Sequence, residues 1–287
     1  MSHIFFIYSK HLTAEQIAHF THISSTIFVK QVEYLDYHVA FFRGDLTDSL
    51  REKAQTIQAD FSRLDILPCI KKEGLLLMDM DSTAIKIECI DEIAKLAGKG
   101  EIVSSITARA MRGELDFEES LRQRVATLEN APESILQQVR EQLPLMDGFE
   151  LLIKSLKQYG WKIAIASGGF DYFADYLRQS FDLDYSVSNR LEVIDGKLTG
   201  QILGKVVDAQ CKADTLMALA HKFGIPQEQW ITVGDGANDL LMLKHASLGV
   251  ALHAKPKVQE QSAFVVNFGD LTALLLLLKA KELFDSP

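Results

Sequence analysis

The most constraining feature of the sequence is a set of three short apolar runs that each end in polar residues. Leu75–Met78 runs into Asp79, Lys162–Ala166 into Ser167, and Ile231–Val233 into Gly234 and Asp235. Apolar strands of this length separated by helical stretches are the pattern of a parallel sheet covered by helices on both faces. In open sheets of this kind ligands bind outside the carboxyl ends of the strands. One site is therefore expected to collect all three clusters.

The spacing adds two expectations. Asp79 and Ser167 lie 88 residues apart, whereas a βαβ unit needs roughly 30. The surplus, helical in pattern from Ile87 to Leu143, reads as a cap inserted at about 84–146 over the mouth of the sheet. Between Ser167 and Asp235, LEVIDGKLTGQI carries Asp195-Gly196 between alternating residues, a hairpin signal.

The chain before this region reads differently. Ile4–Tyr8, a helix near Thr13–Ser24, strands Ile27–Tyr34 and Tyr37–Phe42, a helix Leu46–Phe61 and a short strand Asp65–Ile70 give the order βαββαβ, a small ferredoxin-like α+β unit. The expected division is 1–72 for this unit and 73–287 for the parallel-sheet region.

Composition limits the partners. With 30 basic against 39 acidic residues the net charge is −9, a poor footprint for nucleic acid or an anionic membrane. The longest apolar run, Leu271–Leu278, is too short to span a bilayer and reads as helix and core packing. The first residues lack a basic leader and a small-residue cleavage site, and Cys69, Cys89 and Cys211 form no CxxC pair. A cytoplasmic protein is expected. An anionic ligand would need local attraction from a metal ion, placed cations or backbone amides.

Two motifs supply carboxylates. DMDST places Asp79 and Asp81 at i and i+2, on one side of an extended strand end. Neighbouring carboxylates repel, so one tends to keep a proton, which suits a nucleophile beside a general acid. Alone, the motif is equally a polar turn. GDGAND adds Asp235 and Asp239, and hard oxygen donors without paired His or Cys suit Mg²⁺. SGGF at Ser167–Phe170 reads as a hydroxyl and two glycines opening a helix, so that backbone N–H groups can approach an anion closely. Lys212 is a candidate phosphate clamp, although a solvated lysine is the ordinary reading. His19 and His22 share a helix face but have no evident third ligand.

In this order the four segments resemble the motifs of the haloacid dehalogenase-like hydrolases, over about Gly74–Asn267. The resemblance implies a Rossmann-like core with a helical cap. The stretches DMDSTAIKIECIDEIA, RAMRGELDFEESLRQRV, DGKLTG and CKADTL are most similar to members that hydrolyse O-phospho-L-serine in serine biosynthesis. The resemblance then implies Asp79 as nucleophile and Asp81 as acid and base. It implies Mg²⁺ on Asp79, the Asp81 carbonyl and Asp235. Phosphate would be held by Ser167, the Gly168 backbone, Lys212 and Asn238, and Asp239 would orient Lys212 or a metal-bound water.

Substrate selection is expected in the cap. Phe117, Leu121, Arg124, Val125 and Leu128 share one helical face, so Arg124 sits on an apolar stripe and wants an anionic partner. Unaided, a structural ion pair is the simpler reading; the resemblance places Arg124 on the substrate carboxylate. Glu88 lies opposite the Ile90, Ile93, Ala94 and Ala97 face and reads as a capping or solvated residue; the resemblance assigns it to the substrate ammonium. Met111 and Phe117 read as core residues, and by resemblance as apolar covers.

Two other functions stay open at this point. One is a phosphatase or phosphotransferase for another amino-alcohol phosphate. The other is a non-catalytic amino-acid sensor, because the N-terminal unit resembles ACT-like regulatory domains. Its first strand-to-helix connection, Tyr8-Ser9-Lys10-His11, lacks a glycine that would ease ligand approach. A structural role, or one in pairing two copies as a homodimer, is expected instead.

Overall fold

The structure is a computed structural model that describes residues 3–286. Residues 1–2 of the expected first unit and residue 287 of the second lie outside the described residues. The N-terminal unit comprises β1 (His3–Ser9), α1 (Ala14–Ser24), β2 (Ile27–Tyr34), β3 (Tyr37–Gly44), α2 (Ser49–Thr56) and β4 (Asp60–Arg63). Its strands form an antiparallel sheet in the order β2-β3-β1-β4. α1 starts where a capping box forms: Thr13 accepts from Gln16 N–H, and the Gln16 side chain returns to Thr13 N–H.

The fourth strand departs from the sequence expectation. It occupies Asp60–Arg63, not Asp65–Ile70, and α2 ends at Thr56, not Phe61. Gln58 takes a left-handed φ of 56°, which ends the helix and frees Asp60–Arg63 to pair with Phe5–Tyr8. Pro68 could not donate to a ladder, and Ile66 is 41% exposed in the turn that follows.

The parallel-sheet region opens with β5 (Leu75–Met78). The cap follows as α3 (Cys89–Leu96), α4 (Gly100–Met111), α5 (Phe117–Ala126) and α6 (Ser134–Glu141). The chain returns through α7 (Phe149–Gln158), β6 (Lys162–Phe170), α8 (Asp171–Ser180), and the hairpin strands β7 (Tyr185–Ile194) and β8 (Lys197–Leu203). It closes with α9 (Ala209–Phe223), β9 (Trp230–Gly234), α10 (Leu240–His245), β10 (Leu248–Leu252), α11 (Pro256–Gln259), β11 (Phe264–Val266) and α12 (Ala273–Asp285).

The sheet order is β11-β10-β9-β5-β6-β7-β8, parallel except for the β7–β8 hairpin. β5 lies between β9 and β6, so the ends of the three apolar runs are adjacent by topology. The hairpin turns on Asp195 and Gly196, both at positive φ (49° and 71°), as a two-residue turn of this hand requires. It also stitches to the cap: Asn130 N–H donates to Leu198 O, and Leu198 N–H to Ala131 O, each at 2.9 Å.

The two sheets share a core. One face of the N-terminal sheet buries Phe5, Ile7 and Phe42 under α1 and α2. The other packs Phe6, Tyr8, Val39 and Phe41 into the same cluster as Leu274–Leu278 of α12. Among the described residues no helix is long and apolar enough to cross a membrane.

Candidate active site

The carboxyl ends of β5, β6 and β9 open into a cleft of about 840 Å³ roofed by the cap. Asp79 leaves β5 with its N–H on Val233 O (2.9 Å), which fixes it against β9, and its Oδ1 accepts Met80 N–H at 2.7 Å. Lys212, on the first turn of α9, is 0% exposed. Its ammonium reaches Asp79 Oδ1 at 2.9 Å and Asp239 Oδ1 at 2.7 Å. Burial alone would push that ammonium down in pKa, but the two carboxylates outweigh it and hold it above its ordinary range. Lys212 is thus a permanent cation beneath the cleft floor.

The second carboxylate of DMDST has a different environment. Asp81 is buried, and its Oδ1 receives only a long contact from Cys89 N–H (3.4 Å). Burial, then the charges of Glu88 and Asp79, raise it well above the usual carboxylate range. A carboxylate with a lysine partner, beside one whose pKa is raised by burial and neighbouring charge, is the unequal pairing that a nucleophile and a general acid require.

Carboxylate oxygens of Asp79, Asp235 and Asp239 approach within 4.8 Å of one another, and this acidic cluster could hold a metal ion. Both oxygens of Asp239 are engaged, Oδ1 by Lys212 and Oδ2 by Gly236 N–H at 2.9 Å. Among the described residues Asp235 has one hydrogen-bond partner, Thr83 Oγ1 at 3.3 Å. Burial first, then Asp79, Asp239 and Glu88, push Asp235 up to about 7, and burial and Asp79 push Asp239 to about 6. This surplus of buried negative charge, made of hard oxygen donors, fits a divalent cation.

The SGGF segment is a continuation of β6 and not a helix start; α8 begins only at Asp171. Ser167 Oγ accepts Gly169 N–H at 2.9 Å. Glycine at both following positions lets these side chains approach, since a Cβ at Gly168 would meet Phe117 Cζ at 2.6 Å and one at Gly169 would meet Asp81 Oδ2 at 2.7 Å, and the ring and the carboxylate would have to move. Asn238 lines the cleft from the 3₁₀ turn Ala237–Asp239 before α10.

The cap supplies the other wall. Arg124 on α5 is half-buried beside buried Leu121, Val125 and Leu128. Among the described residues no carboxylate lies within ion-pairing distance of it, and its Nε donates only to Ser120 O at 3.4 Å. The structural ion pair weighed from sequence is therefore absent among these residues. Burial lowers the guanidinium pKa, opposed by the charges of Asp91, Glu88 and Asp81. Glu88 precedes α3 without capping it. It accepts from Ser82 Oγ at 2.8 Å and is raised by burial despite this bond. Phe117 reaches from the cap to Gly168. Met111, expected as core, is 65% exposed at the end of α4, on the cleft rim.

Two contributors escaped the sequence reading. Buried Asn189 on β7 donates to Gly168 O and accepts Val207 N–H, both at 2.8 Å, and so ties the SGGF segment to the approach to α9. Asp91 lines the cleft on the cap side. Neither lies in a segment with a strand-end or glycine signal.

Residues 74–247 match the family model of the haloacid dehalogenase-like hydrolases. The phosphoserine phosphatase of Haemophilus influenzae is 59% identical over 244 residues, 85% of this chain and 78% of that protein. An unliganded Vibrio cholerae crystal structure superposes with a TM-score of 0.87 at 47% identity, covering 98% of this chain and 87% of that one. A phospho-aspartyl intermediate analogue of a phosphoserine phosphatase superposes with a TM-score of 0.67 at 42% identity, covering 71% of this chain and 98% of that one.

Proposed function

This chain belongs to the haloacid dehalogenase-like hydrolases, and from that premise we propose that it hydrolyses O-phospho-L-serine to L-serine and phosphate, the closing reaction of serine biosynthesis. The observation that carries the reading is the unequal pair Asp79 and Asp81: one carboxylate against Lys212, its neighbour buried with a single long contact and raised in pKa by that burial. Relatives named for this activity and a neighbour described as a phospho-aspartyl analogue support it.

In the proposed reaction Asp79 attacks phosphorus, the bond from phosphorus to the seryl oxygen breaks, and Asp81 gives that oxygen its proton. Water then attacks the aspartyl phosphate, Asp81 takes up the water's proton, and release of phosphate restores Asp79. Lys212 offsets the charge of Asp79 and Asp239 throughout. Ser167, the Gly168 backbone and Asn238 hold the phosphoryl oxygens, and Lys212, paired with Asp79 and Asp239 at the floor, acts on the same oxygens from beneath. Mg²⁺, held by Asp79, the Asp81 carbonyl and Asp235, would supply positive charge to those oxygens. Arg124, lacking a carboxylate partner among the described residues, takes the substrate carboxylate in a fork. Glu88 takes the ammonium, and Met111 and Phe117 cover the substrate from the cap.

The test is phosphate release from O-phospho-L-serine with Mg²⁺ and with chelator. The proposal expects release that chelator abolishes and added Mg²⁺ restores. Release from an aryl phosphate with none from phosphoserine would leave a phosphatase of a different substrate class.

A further inference from the structure

The positive charge assigned above, from Lys212 and from the Mg²⁺ that the acidic cluster would hold, belongs to the floor of the cleft, and the rim poses an attraction problem of its own. Its wall carries seven carboxylates against two cations, Arg124 and Lys255. Lys212 lies sealed beneath the floor and is already paired with Asp79 and Asp239. Arg124 stands on the cap side, where the amino-acid end of the substrate is placed. Among the described residues, a phosphate dianion approaching the rim on the sheet side therefore meets one cationic side chain before it reaches the floor, Lys255.

The placement of Lys255 suits this task. It follows β10, the parallel neighbour of β9, so it stands on the same carboxyl edge as Asp235. It lines the cleft with Asn238 and Leu241, and its side chain is exposed. Among the described residues it joins no ion pair, so its charge is not neutralised locally. Its backbone carbonyl starts the short helix α11 by accepting Val258 N–H at 2.9 Å, which anchors the residue at the rim.

We infer that Lys255 is a capture residue, whose ammonium draws the phosphate end of the substrate into an otherwise acidic cleft without touching the reacting atoms. The inference rests on the phosphomonoester reading above. A rim charge acts through water, so it affects encounter and weak binding and is screened by salt. The Debye length shrinks from roughly 10 Å at 0.1 M to roughly 3 Å at 1 M ionic strength.

The experiment compares the intact protein with Lys255→Gln and Lys255→Arg in steady-state kinetics on O-phospho-L-serine, at low and at ~1 M salt. The expected result is a loss of about threefold in kcat/KM for Lys255→Gln at low salt, borne by KM, with Lys255→Arg close to wild type. At high salt the gap closes. An equal loss at both salt concentrations, a loss in kcat, or no loss at low salt overturns the inference. If the wild type releases no phosphate from phosphoserine, the functional reading fails separately. Calorimetric titration with inorganic phosphate then still decides Lys255: weaker binding by Lys255→Gln at low salt alone supports it, and equal binding overturns it.

Discussion

Two carboxylates, buried Asp60 at the rim of the N-terminal sheet and half-buried Asp235 at the end of β9, show how the two regions of this molecule differ. Asp60 accepts three backbone N–H groups, from Asn267, Phe268 and Gly269, at 2.8, 3.0 and 2.9 Å. Burial still pushes it up to about 6, but the three amides oppose that. Asp235 has one hydroxyl at 3.3 Å, and neighbouring carboxylates add to its burial. The first arrangement is complete within the protein and joins the N-terminal sheet to the loop before α12. The second has room for a cation that would complete it. Lysines repeat the contrast. Lys10 bridges Asp36 and Asp270 at the partly exposed junction (2.6 and 2.7 Å), whereas Lys212 pairs with Asp79, the carboxylate proposed to attack. A buried charge with all its partners marks architecture, and one left short of partners marks chemistry.

Substitutions can break this contrast. Asp81→Asn should reduce kcat on phosphoserine about 10³-fold, since proton transfer typically contributes 10²–10⁴, while the thermal midpoint holds or rises because a disfavoured buried acid is removed. A variant that loses stability and keeps its rate would place Asp81 with Asp60. Asp60→Ala should do the reverse. It strands three amide donors and should cost about 3 kcal/mol of stability by urea denaturation, with kcat per folded molecule unchanged.

Arg124→Ala sharpens the contrast within the cleft. It should lower kcat/KM for phosphoserine about 100-fold and for an aryl phosphate without a carboxylate only slightly. Equal losses on both substrates would make Arg124 a support of the cap. The smallest effect belongs to the junction pair. Burial would raise Asp270, but the bonds from Lys10 and Thr272 outweigh it and lower its folded-state pKa. Its contribution is therefore full above the unfolded value near ~4 and is lost as pH falls through the lower folded value. Lys10→Met should remove under about 1 kcal/mol at neutral pH. It should also flatten the acid limb of the stability curve below ~pH 4; an unchanged limb would show that Asp270 is held by Thr272 alone.

What was legible in the sequence follows the same division. Asp79, Ser167 and Asp235 could be placed together because parallel strands bring their carboxyl ends to one edge, and Asp195-Gly196 announced its own turn. Arg124 stood out as a charge on an apolar stripe. Asn189 carried no such signal, because its role comes from two backbone groups distant in sequence, Gly168 O and Val207 N–H. The fourth strand was misplaced because Asp60 and Ser62 look like solvent residues until the amides that bury Asp60 are seen. The docking of the N-terminal sheet was hidden in the Leu274–Leu278 run, which reads as core without saying whose.

The most direct test of the central claim is acid-quenched single turnover with phosphoserine labelled in its phosphoryl group, followed by peptide mapping of the protein-bound label. The account predicts label on the peptide containing Asp79 in the wild type and none in Asp79→Asn. Rapid phosphate release from the wild type with no protein-bound label at any quench time, or label that survives in Asp79→Asn, would contradict it.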